Sequence, residues 1–407
     1  MAGTSAQAPT AAATGASRAA ALKQQARQAL LAARPELVAL SHRIHGHPEL
    51  AFDEHRAAAW LAAALEAHGF RVTRGVAGLS TAFDATWGSG DLVVGLCAEY
   101  DALPEIGHAC GHNLIAAAAV GAAVALAPVA DRAGLTVRVL GTPAEEQGGG
   151  KVLMLERGAF TGVHLAMLVH PGPTAADVVS CRALACSQIT VEFRGRAAHA
   201  GAHPDRGLNA GDAATIAQVA IGLVRQHLMP RDRVHGIVTS GGTAANVIPD
   251  RVTMRYLLRS DSLARLGALE ERVTACLQAG ALGSGCTVTV AHDEPGYSHF
   301  EGDRDLESFY RANLLAMGRP PGPDPSEPPG YSTDMGNVSL ALPAIQPTVG
   351  IGTGAVVNHQ AEFAAHCIGS AADDALLRGA QALSWTSIDA ALTDKTRGRL
   401  RAGIRRP

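Results

Sequence analysis

Residues 91–97 read DLVVGLC, and residues 98–129 continue AEYDALPEIGHACGHNLIAAAAVGAAVALAPV. The first seven form a nearly continuous apolar run, the pattern of a parallel strand buried on both faces. A polar loop follows, then an Ala-rich helix from Asn113 that ends near Pro128. The stretch Leu114–Val129 reads better as a buried helix than as a membrane span, which needs about 18 or more apolar residues. Working forward, Leu135–Leu140 (LTVRVL) is a second strand, followed by a Gly-rich turn and a helix around Val152–Arg157. Leu165–Val169 (LAMLV) is a third strand. This rhythm predicts an α/β fold with an open, mainly parallel sheet and helices on both faces. Working backward, Ala20–Ile44 has helical periodicity, with Pro35 opening a second helix or marking a kink. An amphipathic helix near Glu54–His68 stops at Gly69.

From Ala183 the pattern changes. Gln188–Phe193 alternates, Gly211–His227 reads as a helix, and Val234–Thr239 and Val252–Leu258 are strands. A helix at Ser262–Ala279 and a strand at Cys286–Ala291 complete a β-α-β-β-α-β order, a ferredoxin-like α+β unit. Ala344–Gly350 returns as a late strand of the first sheet. The sequence thus divides into a disordered tail at 1–20, a main domain at 21–182 and 295–390, an inserted domain at 183–294 and a basic C-terminal tail at 391–407.

A chain of 407 residues, 47% hydrophobic and 17% charged, has ample material for two cores. Its net charge of −3 and lack of a basic stripe speak against nucleic acid as a partner. No membrane association is expected, and the N-terminus lacks the basic start and apolar core of a signal peptide. Seven cysteines without CxxC pairs give no disulfide framework, so a reducing cytoplasm is expected.

Four polar clusters follow four of the strands: Asp101 with His108-Ala-Cys110-Gly-His112, then Glu145-Glu146, His170, and Asn358-His359. In open α/β sheets ligands bind beyond the carboxyl ends of the strands, so these clusters should converge on one crevice. Thiolate, imidazole and carboxylate together suit Zn²⁺ and other borderline metals better than Ca²⁺ or Mg²⁺. The Ala-rich helix should place its positive end near Cys110 and favour the thiolate. Of two adjacent glutamates, one can bind metal while the other serves as a base. Taken singly, an EE pair is an ordinary charged loop, Asp101 a turn residue, and each histidine a satisfied one. The case rests on their convergence.

The segments AEYDALPEIGHACGH, TPAEEQGGGK, LVHPG, FRGRAAHAGAHPDRGLNA, AANVIPD and VVNHQAEF, in this order, resemble the amidohydrolase branch of the aminoacylase and carboxypeptidase-G metallopeptidases. That branch includes hippuricase, auxin-conjugate hydrolases and aminobenzoyl-glutamate hydrolase. The wording around Cys110 is nearest to its aminoacylase-1-like protein 2 type of dipeptidase. The resemblance covers about Leu37 to Ala382.

It implies a zinc-peptidase-like catalytic domain, with the insertion as lid and dimerisation domain of a homodimer. It also implies two divalent cations, zinc or manganese ahead of cobalt or nickel, held by Cys110, His112, Glu146, His170 and His359. Glu145 would be the general base and Asp101 would orient a ligand histidine. His199 would polarise the scissile carbonyl, its own or a partner's, while Asn246 and Arg259 would hold the substrate carbonyl or carboxylate. The reaction implied is hydrolysis of an amide in a small N-acyl amino acid or dipeptide. A ureido substrate, a catalytically silent metal-bound binding protein and a thiol redox role for Cys110 are the rival readings. Asn113, Gln147 and Gln360-Ala361 depart from the common pattern without removing a proposed ligand or base.

Overall fold

The computed structural model describes residues 11–326 and 330–406. Two compact units emerge: the described residues up to Cys181 with Glu301–Ser326 and those from Val338 onward, and Arg182–Phe300 with residues 330–337.

The first unit begins with α1 (Ala11–His45), which runs through Pro35 without a break. Residues 11–20 therefore continue a helix rather than forming the disordered tail expected for 1–20; residues 1–10 of that tail lie outside the described residues. One proline removes a single ladder bond, and Leu30, Leu37, Leu40 and Ile44 are buried to either side of it. After α2 (His55–Ala67) come β1 (Arg71–Arg74) and β2 (Phe83–Gly88), two strands the periodicity did not show. β3 (Leu92–Ala98), α3 (His112–Leu126), the one-turn α4 (Ala130–Ala133) and β4 (Leu135–Gly141) follow, then α5 (Gly150–Glu156), β5 (Leu165–Met167) and β6 (His170–Gly172).

The chain then enters the second unit. It consists of β7 (Ala185–Arg194), α6 (Ala210–Val224), β8 (Arg233–Ser240), β9 (Arg251–Ser260), α7 (Leu263–Ser284) and β10 (Thr287–His292). Asn209 and Ser262 cap the two helices, accepting from the N–H groups of Gly211 and Arg265. The strand order is β10-β7-β9-β8 with every neighbour antiparallel. Ile189, Val191 and Phe193 of β7 and Val252, Met254, Tyr256 and Leu258 of β9 form its core with Ala217 and Ile221 of α6 and Val273 and Leu277 of α7.

Further along the chain come α8 (Arg304–Ala316), α9 (Met335–Ala341, whose first three residues belong to the second unit), β11 (Ala344–Ile345), β12 (Thr348–Gly350), α10 (Ala361–His366), α11 (Ser370–Leu392) and α12 (Asp394–Arg401). The expected single strand over 344–350 is two strands, because Gln346-Pro347 interrupts the ladder. β11 pairs with β5, whereas β12 pairs with β6. The expected basic tail at 391–407 is ordered through Arg406. Arg399 bridges to Asp303 and Asp305, Arg405 to Glu301 and Arg406 to Asp305, so an acidic cluster before and in α8 gives the arginines partners.

The main sheet runs β1-β2-β4-β3-β5-β11. Its β4-β3-β5-β11 portion is parallel; β2 pairs antiparallel with β4, and β1 with β2. The sheet is thus mixed, with an antiparallel edge. Every residue of α3 is buried, and it packs against α1 and α11. Full burial of residues such as Leu114, Ile115 and Leu126 is worth roughly 2 kcal/mol each.

Candidate metal centre

The loops after β3, β4 and β12 and the start of β6 all lie in the first unit, and they carry Asp101, Glu145-Glu146, His359 and His170 respectively. Cys110 and His112 sit on either side of Gly111, which has φ +79° and opens α3. A Cβ on Gly111 would come within 2.4 Å of Pro171, next to His170. The glycine thus lets the thiol-bearing turn lie directly against the His170 strand. After β4, Ala144 takes φ +60° without being glycine, and Gly150 packs so that a Cβ would lie 1.8 Å from the Pro143 carbonyl oxygen. His359 also has a positive φ, +69°. Left-handed non-glycine residues concentrate at functional positions because surrounding contacts must enforce them.

The donor atoms of Cys110, His112 and His170 lie within 4.8 Å of one another, as do those of Cys110, Glu146 and His359. The two sets share the sulfur of Cys110. A third group joins His112 to Glu145 and Glu146. His112 turns Nδ1 to Asp101 Oδ1 at 2.9 Å, leaving Nε2 3.6 Å from Glu146 Oε1 and 3.9 Å from Glu145 Oε2. His170 donates from Nδ1 to the Pro171 carbonyl, so its Nε2, 3.4 Å from Cys110 Sγ, is the bare nitrogen. His359 Nε2 lies 3.4 Å from Glu146 Oε2.

These residues fit a divalent cation pair. His112 Nε2 and Glu146 Oε1 are buried without hydrogen-bond partners and face one another. Orphaned buried polar atoms are costly, and a cation between them satisfies both. The inward nitrogens of His112 and His170 are freed by outer hydrogen bonds, the arrangement that fixes tautomer and ring orientation. Asp101 does this for His112 and also accepts from the Glu146 N–H through Oδ2 at 2.9 Å, tying together the loops after β3 and β4.

Electrostatics support this pattern with one reversal. Burial opposes ionisation of Asp101, but His112 and the Glu146 N–H hold it below the usual carboxylate range. Burial works against charge on His112 as well, yet Asp101 raises it well above an ordinary imidazole. Burial likewise disfavours charge on Glu146, and His359 and His112 overcome it to lower the group. His170 is lowered, by burial first. The thiol of Cys110 is instead pushed well up, by burial and then by Glu146. The start of α3 was expected to favour the thiolate. Sealed beside a carboxylate, the sulfur needs a cation to ionise.

Two neighbours were missed at the level of sequence. Glu99 and Lys151 form a fully buried ion pair at 2.6 Å, and Glu99 Oε2 lies 3.7 Å from His112 Nε2. Glu99 stands two residues before Asp101 on an apolar strand end, and a charge there was the available signal. Asn113 donates its amide to Ser41 Oγ and the Cys367 carbonyl; a carboxylate could not make the second bond.

The remaining site residues lie in the second unit. His199 is exposed and bridges to Val247, beside Asn246, whose carbonyl accepts from the Ala200 N–H. Its Nδ1 accepts from Gly201 and Ala202 N–H, so the neutral ring carries its proton on Nε2. Arg259 donates to Ser332 Oγ at 2.8 Å and to the Gly330 carbonyl at 3.1 Å.

Residues 95–385 match the model of peptidase family M20/M25/M40. The chain belongs to this family. It is accordingly a metal-dependent amidohydrolase of the metallopeptidase kind. It is 38% identical to the Xaa-Arg dipeptidase of Mus musculus, across 90% of this chain and 88% of that one. Identity to a polypeptide of the p-aminobenzoyl-glutamate hydrolase of Escherichia coli is 35%, across 72% of this chain and 64% of that one. Among solved structures, a putative aminohydrolase from methicillin-resistant Staphylococcus aureus matches with TM-score 0.76 at 22% identity, covering 90% of this chain and 99% of that one. A dinuclear metal-binding family M20 peptidase of Bacillus subtilis matches with TM-score 0.67 at 21% identity, across 88% and 98%. These two show the shared fold of this M20 chain.

Proposed function

We propose that this protein hydrolyses the amide bond of a small N-acyl amino acid or dipeptide at a pair of divalent cations. Cys110, His112, Glu146, His170 and His359 hold the pair, and Glu145 acts as general base. The observation that carries this reading is the two donor sets sharing one sulfur, with a further carboxylate beside them. The thiol, imidazole and carboxylate donors favour zinc or another borderline divalent ion such as cobalt or nickel; manganese enters through the family resemblance alone.

A cation pair of this kind supplies Lewis acidity, polarising the amide carbonyl and acidifying water. Glu145 takes the proton of the attacking water and later returns it to the departing nitrogen. Asp101 keeps His112 oriented through Nδ1. His199 offers its Nε2–H to the carbonyl oxygen as negative charge develops there, on this chain or on a second copy. Asn246 and Arg259 hold the substrate's polar end, a guanidinium fork being suited to a carboxylate.

A homodimer through the second unit is part of this proposal. β8 is the edge strand of its sheet and exposes Ile237 and Val238, while α6 exposes Ile216, Val219 and Leu223. Unpaired edges and apolar faces of this kind are normally covered. None of the seven cysteines is in a disulfide, which supports a reducing compartment such as the cytoplasm.

The decisive test is chelation followed by reloading, read by turnover of N-acyl amino acids, β-alanyl dipeptides and aryl-amide glutamates. Activity should vanish on metal removal and return with a divalent ion. A purified, active sample indifferent to strong chelators would overturn the proposal.

A further inference from the structure

The second unit contains a half-open cavity of about 810 Å³ whose wall is dominated by arginine. Arg233 and Arg259 are direct cross-strand partners on the β8–β9 ladder. Like charges placed opposite one another on a sheet destabilise it, so such a pair calls for an anion between or above them. Arg231 and Arg265 also line the cavity, but they share the carboxylate of Asp261, and Arg265 reaches Asp232 as well. Arg233 and Arg259 differ. They donate to carbonyl oxygens and one hydroxyl, and among the described residues no carboxylate pairs with either guanidinium.

The field is felt by a neighbour. His235, on the same face of β8 as Arg233, is held below the usual imidazole range, by burial first and then by the charges of Arg259, Arg233 and Arg225. The cavity far exceeds what a single inorganic anion fills. Leu184 and Met229 supply apolar wall, which suits methylene groups. Two guanidinium forks, each matched to one planar carboxylate, joined by an apolar lining, describe a receptor for a short dicarboxylate.

We infer that the second unit binds a small ligand bearing two carboxylates, one held by Arg233 and the other by Arg259. This deepens the proposed function and rests on its reading of Arg259 as a carboxylate-holding residue. The ligand has two chemical sources: the acidic amino-acid half of an amide substrate, or a free dicarboxylate acting as effector.

The test is calorimetric titration of the intact, metal-loaded protein with glutarate, acetate and inorganic phosphate, in about 0.15 M salt so that exposed charges are screened. Glutarate should bind with one site per chain, more tightly than acetate or phosphate. Arg233→Gln and Arg259→Gln should each weaken it by roughly tenfold or more, as loss of a charged hydrogen-bonding partner does. Arg251→Gln, whose guanidinium is already paired with Glu192, should leave it unchanged. Since Arg233→Gln removes a like-charge opposition, its unliganded thermal midpoint should equal or exceed that of the wild type. Competitive inhibition of hydrolysis by glutarate assigns the site to substrate, and non-competitive inhibition assigns it to an effector. The inference is overturned if glutarate binds no better than acetate, or if Arg233→Gln binds it like the wild type. It is also overturned if Arg233→Gln lowers the unliganded midpoint, since Arg233 would then be structural. Metal-dependent turnover on the same preparation separates this failure from failure of the proposed function.

Discussion

Glu54 Oε1 accepts a 2.8 Å hydrogen bond from the N–H of Ala144, the left-handed residue immediately before Glu145-Glu146. A fully buried carboxylate at the start of α2 thus braces the turn that presents the two glutamates. Burial, and then the charge of Asp101, raise Glu54 from an ordinary value of 4.5 to about 7. A carboxyl raised on folding stabilises the protein at pH below its unfolded value, and that contribution is lost as pH climbs through the folded one. The metal-free protein should therefore lose on the order of 3 kcal/mol of this contribution between those two values. Glu54→Gln should lack that slope. Urea unfolding of both proteins at a series of pH values checks it, and identical slopes would refute the assignment.

Glu145 lies by His112 and Glu146 but stands outside both sets that share Cys110. As the general base it should be dispensable for metal and indispensable for turnover. Glu145→Gln is expected to lower kcat by about 10²- to 10⁴-fold with both cations retained. Metal analysis and kinetics on one preparation decide. Loss of metal would make Glu145 a ligand instead.

Asp101 accepts on both oxygens, from His112 Nδ1 and from the Glu146 N–H. Asn can accept on only one side and would turn an amide N–H toward the other donor. Asp101→Asn should weaken cation binding by about 10- to 100-fold, as outer partners of ligand histidines generally do. Competition with a fluorescent chelator measures the change.

The parts of this molecule written in contiguous residues were legible from the chain alone. DLVVGLC reads as a buried strand because both faces are apolar, and the six elements of the second unit follow from alternation and helical spacing. β1 and β2 were not legible. RVTR, for instance, is short and mostly exposed at the sheet edge, so no apolar pattern marks it. The start of α1 looked like a tail because Ala, Thr, Ser and Gly carry no periodic signal, and the C-terminal arginines showed no partners in sequence. At the metal centre, Cys, His and Glu are conspicuous by type. Glu54, Glu99 and Lys151 act through burial and pairing over long sequence distances, and linear spacing does not encode that.

Lys151 and Glu99 form a pair with essentially no solvent contact. Removing Lys151 takes away the close cationic partner of Glu99 and leaves the carboxylate only the longer approach to His112 Nε2, 3.7 Å away. Lys151→Met should therefore destabilise the protein by about 3–5 kcal/mol, whereas adding Glu99→Gln should recover much of the loss. Denaturant midpoints of the single and double variants check this, and equal instability in both would show that the charge is not the cause.

Gly111 and Gly162 share a φ of +79°, but their surroundings differ. A Cβ at Gly162 meets nothing within 4 Å, whereas one at Gly111 reaches Pro171 at 2.4 Å and Cys367 Sγ at 3.2 Å. Gly162→Ala should incur only the backbone cost of a left-handed alanine, about 1 kcal/mol. Gly111→Ala should incur the same cost and also push the Cys110–His112 turn away from the His170 strand. The set Cys110, His112 and His170 would then open while Cys110, Glu146 and His359 suffer less. Metal titration of the two variants should show full cation content in Gly162→Ala and a weakened site in Gly111→Ala. If both variants load metal like the wild type, close approach of Pro171 to the turn is not what assembles the centre.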